Sequence, residues 1–163
     1  MDIASHGLWG GVAFGRKSRR NFWLAFFFGI APDFFSFGLF FIQRWFTNGF
    51  SLGFQGRPSH DILPSYVSTF YDFTHSLVIF SIIFFVVWIY FERPIYVMLA
   101  WPLHIITDTF VHSKEYFPTP FLFPLSDYRF DGISWGHPYI FFPNLALLLL
   151  AYIWFLYKKK TRQ

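Results

Sequence analysis

His104 and Asp108 stand four residues apart in Trp101-Pro102-Leu103-His104-Ile105-Ile106-Thr107-Asp108. On a helix that spacing puts both side chains on one face. An imidazole and a carboxylate so placed are a two-point ligand set for a divalent metal, Zn²⁺ first, with Mn²⁺ or Fe²⁺ as alternatives. His112 continues the face one turn later. Three further groups of the same chemistry lie inside or beside apolar runs: His6, Asp33 in Pro32-Asp33, and His75 in Asp72-Phe73-Thr74-His75-Ser76. His6, Asp33, His75, His104 and Asp108 are the expected ligands, for one or two ions. A metal with an open position brings the pKa of its water toward about 7. Asp33 or Asp108 then doubles as the catalytic base.

Each of these residues also has a plainer reading. Asp33 after Pro32 suits a cap on a second half-helix, because Pro removes a ladder hydrogen bond and Asp accepts freed N–H groups. Asp72 suits the N-cap of the following helix as well as an accessory ligand. His75 alone suits an interfacial histidine. His112 and His137 are the other accessory candidates, although His137-Pro138 equally reads as a helix start with Pro at its first position. Lys114 and Arg129 are candidates to hold an anionic substrate group. Asp127, Arg129 and Asp131 also suit staples within a loop, and His60-Asp61 reads as solvated loop surface.

The elements that position these groups follow from composition. The chain has 163 residues, which suits a single domain over 1–163. Hydrophobic residues make up 55% and charged residues 13%, and 27 residues are Phe. Soluble domains carry about a quarter charged residues, and a globule of this size cannot bury so much apolar surface. The excess must face lipid. The absence of cysteine excludes disulfides, thiolate metal sites and a Cys nucleophile. The formal charge of +4 does not point to nucleic acid, because the basic residues sit at the ends of apolar runs.

Four apolar runs, about 21–42, 73–91, 94–111 and 138–157, approach the ~20 residues that span a bilayer as helix. The expected fold is an all-α polytopic membrane bundle of about four spanning helices. A short membrane-embedded helix over 3–14 precedes them, and its Gly7, Gly10 and Gly11 permit close approach to a neighbour. No positive region precedes that segment and no small-residue cleavage site follows it, so it does not read as a signal peptide. Outer loops cover 43–72 and 112–137, the second lying against the membrane surface. Nine Lys and Arg fall at 16–20, 93 and 158–162, and four (Arg44, Arg57, Lys114, Arg129) on the other side. That asymmetry puts the basic loops and the C-terminal tail in the cytoplasm, with the chain in the inner membrane. Counted from the basic turns at 1.5 Å per residue, His6, Asp33, His75, His104 and Asp108 all lie ~15–27 Å up, in one band toward the outer leaflet.

Taken together, His6, Pro32-Asp33, Thr74-His75-Ser76 and His104-x-x-x-Asp108, followed by the Pro- and aromatic-rich Leu122-Phe123-Pro124-Leu125, resemble a known family. It is the small membrane-bound metal-dependent hydrolases of bacteria and archaea, the YdjM-like inner-membrane proteins. The resemblance covers roughly residues 4–131. Phe35 stands where the family often has a second acid. Phe70-Tyr71-Asp72 stands where it often has His-Arg-Gly, so Asp72 replaces a lost ligand on this comparison. The family is distantly similar to the zinc-dependent phospholipases C. The resemblance implies hydrolysis of a phospholipid or another membrane-located phosphoester by a metal-activated water.

Other classes stay in view. There is no His-Glu-x-x-His and no Gly-x-Ser-Gly, so an intramembrane protease is disfavoured. Haem between His75 and His104 or His112 leaves the aspartates unexplained. Metal-ion transport past Asp33 and Asp108, and a non-catalytic scaffold, are the alternatives to hydrolysis.

Overall fold

The computed structural model describes residues 1–48 and 63–160, and within them every regular element is helical. Arg57 and His60-Asp61 lie outside the described residues. Helix α1 covers Ile3–Phe14, α2 Arg19–Asn48, α3 Ser65–Thr74, α4 Leu77–Phe91, α5 Ala100–Val111 and α6 Pro138–Lys160, with a 3₁₀ turn at Tyr96–Leu99 leading into α5. Two helices, α2 and α6, are long and apolar enough to cross a membrane. The pair α3 and α4 meets the same test together, although it is bent by 60° at the junction.

Helices α1 and α2 form a hairpin that depends on small residues. A Cβ added at Gly29 would lie 2.5 Å from the His6 carbonyl oxygen, and one at Gly10 2.6 Å from that of Ala25. Only glycine lets the two backbones approach this closely. Helix α2 runs through Pro32 without ending. Asp33 is therefore an interior residue and not the cap of a second half-helix. The Ser36 hydroxyl donates to the Pro32 carbonyl at 2.7 Å.

The expected second span, 73–91, is α4 with the last two residues of α3 and the junction at its start. The His75 amide closes α3 by donating to the Tyr71 carbonyl at 2.9 Å. The next residue, Ser76, starts α4, its hydroxyl accepting from the amides of Val78 and Ile79 at 3.1 and 3.2 Å. A serine N-cap directly after the last helical turn is what forces the change of direction. Asp72 thus lies in the body of α3 and caps nothing.

The expected outer loop 43–72 contains the end of α2 and most of α3. Part of the second loop, 112–137, packs into the bundle, while Leu125, Tyr128 and Ile133 are exposed. The Leu77 amide donates to the Phe121 carbonyl at 3.0 Å, the Ser76 hydroxyl donates to the Phe123 carbonyl, and Phe117, Thr119 and Pro120 are buried. Beyond them, the amides of Gly132 and Trp135 donate to the carbonyls of His112 and Val111. Apolar clusters flank the middle of the bundle. Phe40, Val67, Tyr71 and Phe117 pack at one end, and Ala25, Val97 and Ala100 near the α1–α2 turn.

Candidate metal centre

Between those clusters lies a layer of buried polar groups. Asp33 comes from the middle of α2, His75 from the α3–α4 junction, and His104 and Asp108 from one face of α5. One ligand atom from each of the four lies within 4.8 Å of all the others. His75 Nε2 and His104 Nε2 are 3.1 Å apart. Asp33 Oδ1 is 3.4 Å from the first nitrogen and 3.8 Å from the second. Asp108 Oδ2 is 3.2 Å from His104 Nε2 and 3.9 Å from His75 Nε2. Donors at ~2.0–2.1 Å around one tetrahedral ion are about 3.3 Å from each other, so these separations are of the right size.

The hydrogen bonds around the layer orient both imidazoles and set the tautomer of His104. His104 Nδ1 is 2.7 Å from the Gly29 carbonyl oxygen. His75 Nδ1 is 3.2 Å from the Tyr71 carbonyl oxygen. A carbonyl only accepts, so His104 Nδ1 donates and its Nε2 presents a lone pair, whereas His75 Nδ1 also meets the Thr74 hydroxyl at 3.1 Å. Either a proton on His75 Nε2 or a metal cation fits between the two Nε2 atoms, and the two carboxylates beside them favour a cation. Asp108 Oδ2 makes the same point. Among the described residues it is the one buried side-chain polar atom with no hydrogen-bond donor, because the nearby His104 Nε2 has none to give. An orphaned buried carboxylate oxygen is costly in an apolar surround. The four residues fit a divalent metal. The carbonyls on the Nδ1 atoms are the outer partners that orient metal-binding imidazoles.

The remaining expected site residues divide into those that border this layer and those that do not. His6 stands behind it and is not one of the four. It donates from Nε2 to Asp108 Oδ1 at 2.8 Å and stacks on the His104 ring at 3.5 Å. His6 therefore orients Asp108 and His104. The Met1 α-amine also meets Asp108 Oδ1 and lies 3.4 Å from His112 Nε2. His112 borders the layer from the loop side, its Nε2 3.7 Å from Asp108 Oδ2.

Asp72 lies outside. It pairs with Arg129 at 2.9 Å, and Arg129 also donates to the Pro118 carbonyl at 3.1 Å. These two residues hold the loop to α3, so the expectations of Asp72 as a ligand and Arg129 as an anion holder do not match their contacts. Lys114 contributes its amide to Asp131 Oδ1 at 2.8 Å, while its side chain is exposed. His137 is exposed at the start of α6, where its Nδ1 accepts from the Tyr139 amide at 3.4 Å.

Tyr71 is a site residue that the sequence reading missed. It is fully buried and stacks on the His75 ring at 3.8 Å. Its hydroxyl donates to the Phe117 carbonyl at 3.0 Å and lies 3.1 Å from His112 Nδ1. The signal was its place four residues before His75, one turn below on the same face. Phe35, by contrast, is half exposed and faces away from the layer.

No family model, no curated protein and no solved structure matches this chain.

Proposed function

We propose that the chain is a polytopic protein of the cytoplasmic membrane that hydrolyses a membrane-located phosphoester at a divalent metal centre. The supporting observation is the buried cluster in which the Nε2 atoms of His75 and His104 face each other between Asp33 and Asp108. On this reading α2, the bent α3–α4 pair, Tyr96–Val111 and α6 make four passes, with α1 embedded beside them. Zinc suits a two-imidazole, two-carboxylate set, and manganese and iron remain alternatives. When bound, the metal supplies Lewis acidity and acidifies a water. Asp33, His75, His104 and Asp108 hold it. His6 keeps Asp108 turned toward it through the 2.8 Å hydrogen bond. His112 donates its Nδ1 proton to the Phe117 carbonyl at 2.9 Å. Its Nε2 is thereby an acceptor at the edge of the layer, facing the Met1 amine at 3.4 Å, and joins Asp33 and Asp108 as a candidate base. The loop carrying Phe117 and Thr119 closes the layer from bulk water.

The test is metal content by mass spectrometry on detergent-purified protein, beside His104→Ala and Asp108→Ala. One or two equivalents of zinc, manganese or iron, lost in both variants, support the reading and justify assays on phospholipids. A metal-free wild type after supplementation during expression refutes it. Uptake of labelled metal into proteoliposomes without hydrolysis would assign the same four residues to transport.

A further inference from the structure

A second polar region lies at the other end of the bundle and takes no part in the metal centre. The turn joining α1 and α2 meets the last turns of α6 around a cavity of about 750 Å³. Arg16, Lys17, Arg19 and Lys158 line it, and its other walls include Phe22, Trp154 and Phe155. No acidic side chain lines it among the described residues. Arg16 and Lys158 both stand over the Trp154 ring, each 4.5 Å from its centroid. The Arg16 Nε also donates to the Val12 carbonyl at 2.6 Å, which pins the guanidinium in place.

Four cationic side chains around one cavity make its potential positive, and the Trp154 face contributes ~0.5–2 kcal/mol per cation. A positive cavity with aromatic walls favours an anion. The location identifies which anion. The basic starts and ends of the two membrane-length helices, Arg19 in α2 and Lys158 in α6, come together here. The cavity therefore sits at the level where a bilayer presents its headgroups, with aromatic walls toward the acyl chains. We infer that this cavity binds the phosphate headgroup of an anionic membrane phospholipid, clasped between the α1–α2 turn and the end of α6. A bound lipid would also fasten α6, which otherwise touches the bundle mainly through α1. The inference is independent of the metal centre.

The test is native mass spectrometry of the detergent-solubilised full chain with phosphatidylglycerol, with phosphatidylcholine and with inorganic phosphate. Phosphatidylglycerol is expected to stay bound, and the double variant Arg19→Gln, Lys158→Gln to hold it ~30-fold more weakly, at about a tenfold change per 1.4 kcal/mol. Arg93→Gln, at the turn after α4 and outside the cavity, should bind as the wild type does. Equal retention of phosphatidylcholine, an equal loss in Arg93→Gln, or full displacement by millimolar phosphate overturns the inference, the last in favour of a soluble phosphate. A wild-type measurement removes dependence on the variants folding. Amine labelling of Lys17 and Lys158 should fall in vesicles containing phosphatidylglycerol relative to phosphatidylcholine alone, with Lys114 unchanged. Unchanged labelling of both lysines also overturns it.

Discussion

The two membrane-length helices carry the same local irregularity and use it differently. Helix α2 contains Pro32-Asp33 and α6 contains Pro143-Asn144, each a proline followed by a short polar side chain inside an apolar run. Asp33 is buried and faces two histidines and a second carboxylate. Asn144 is half-buried. It accepts from Trp9 Nε1 at 2.8 Å and donates to the Ser5 hydroxyl at 3.0 Å. Around the first, α2 packs against α1, α3 and α5; around the second, α6 meets little beyond α1. The residue type follows the surroundings. A neutral amide with one donor and one acceptor on a neighbour leaves no charge to balance. A carboxylate in the same kind of position needs positive charge, and among the described residues no Lys or Arg pairs with Asp33. The polar residue that joins helices and the one that could hold a metal ion are distinguished by charge balance, not by position in the helix.

Exchanging the two side chains tests that distinction most severely. Asp33→Asn keeps the shape and removes the charge. It is expected to lower metal occupancy by at least ~100-fold, more than the loss of an outer partner causes, as read by metal analysis of protein that still elutes as a single species. Wild-type metal content in Asp33→Asn would dissolve the difference between the helices. The converse, Asn144→Asp, places a carboxylate beside Ser5 with no cation to meet it. Insertion scales put such a charge at ~2.5–3.5 kcal/mol, so thermal unfolding in detergent should shift down markedly while bound metal stays.

Smaller effects sharpen the same comparison. Gly29→Val puts side-chain atoms where the His6 carbonyl now lies. The strain is expected to cost ~1–3 kcal/mol and to lower metal affinity through His6 and the Gly29 carbonyl on His104, measured by competition with a chromophoric chelator. Helix α6 contains no glycine and should tolerate Ala146→Val without loss of metal. Asn144→Leu removes two hydrogen bonds of the kind worth about 0.6 kcal/mol each in membranes. A small drop in melting temperature at full metal loading is the expected result, and a loss of metal would show that α6 supports the site directly.

Much of this arrangement was legible in the residues. The i, i+4 spacing of His104 and Asp108 carries over directly, because a helix converts spacing into a shared face. Helix α1 begins and ends at the expected residues, Ile3 and Phe14. What the sequence concealed depended on local endings and on loops. The break at His75–Ser76 lies just inside the expected start of the second span, and Ser76 as a cap marks it. Asp72 looked like that cap because it precedes the apolar run; the true cap is four residues later. Arg129 and Asp72 are 57 positions apart, and no periodicity relates them. The inward fold of 112–137 rests on backbone carbonyls, which have no signature in residue type.

The junction between α3 and α4 has a consequence for how the protein responds to change. His75 ends one helix and brings its Nε2 to the polar layer. Ser76 begins the next and anchors the inward loop at Phe123. Two adjacent positions therefore serve backbone, ligand and loop at once. Substitutions at His75 and Ser76 should not add as those at distant sites do. Once either is lost, the other has less left to hold, so a double variant should fall short of the sum of the single ones. The layer's tolerance to mutation is accordingly lowest at a point where the chain has no regular secondary structure.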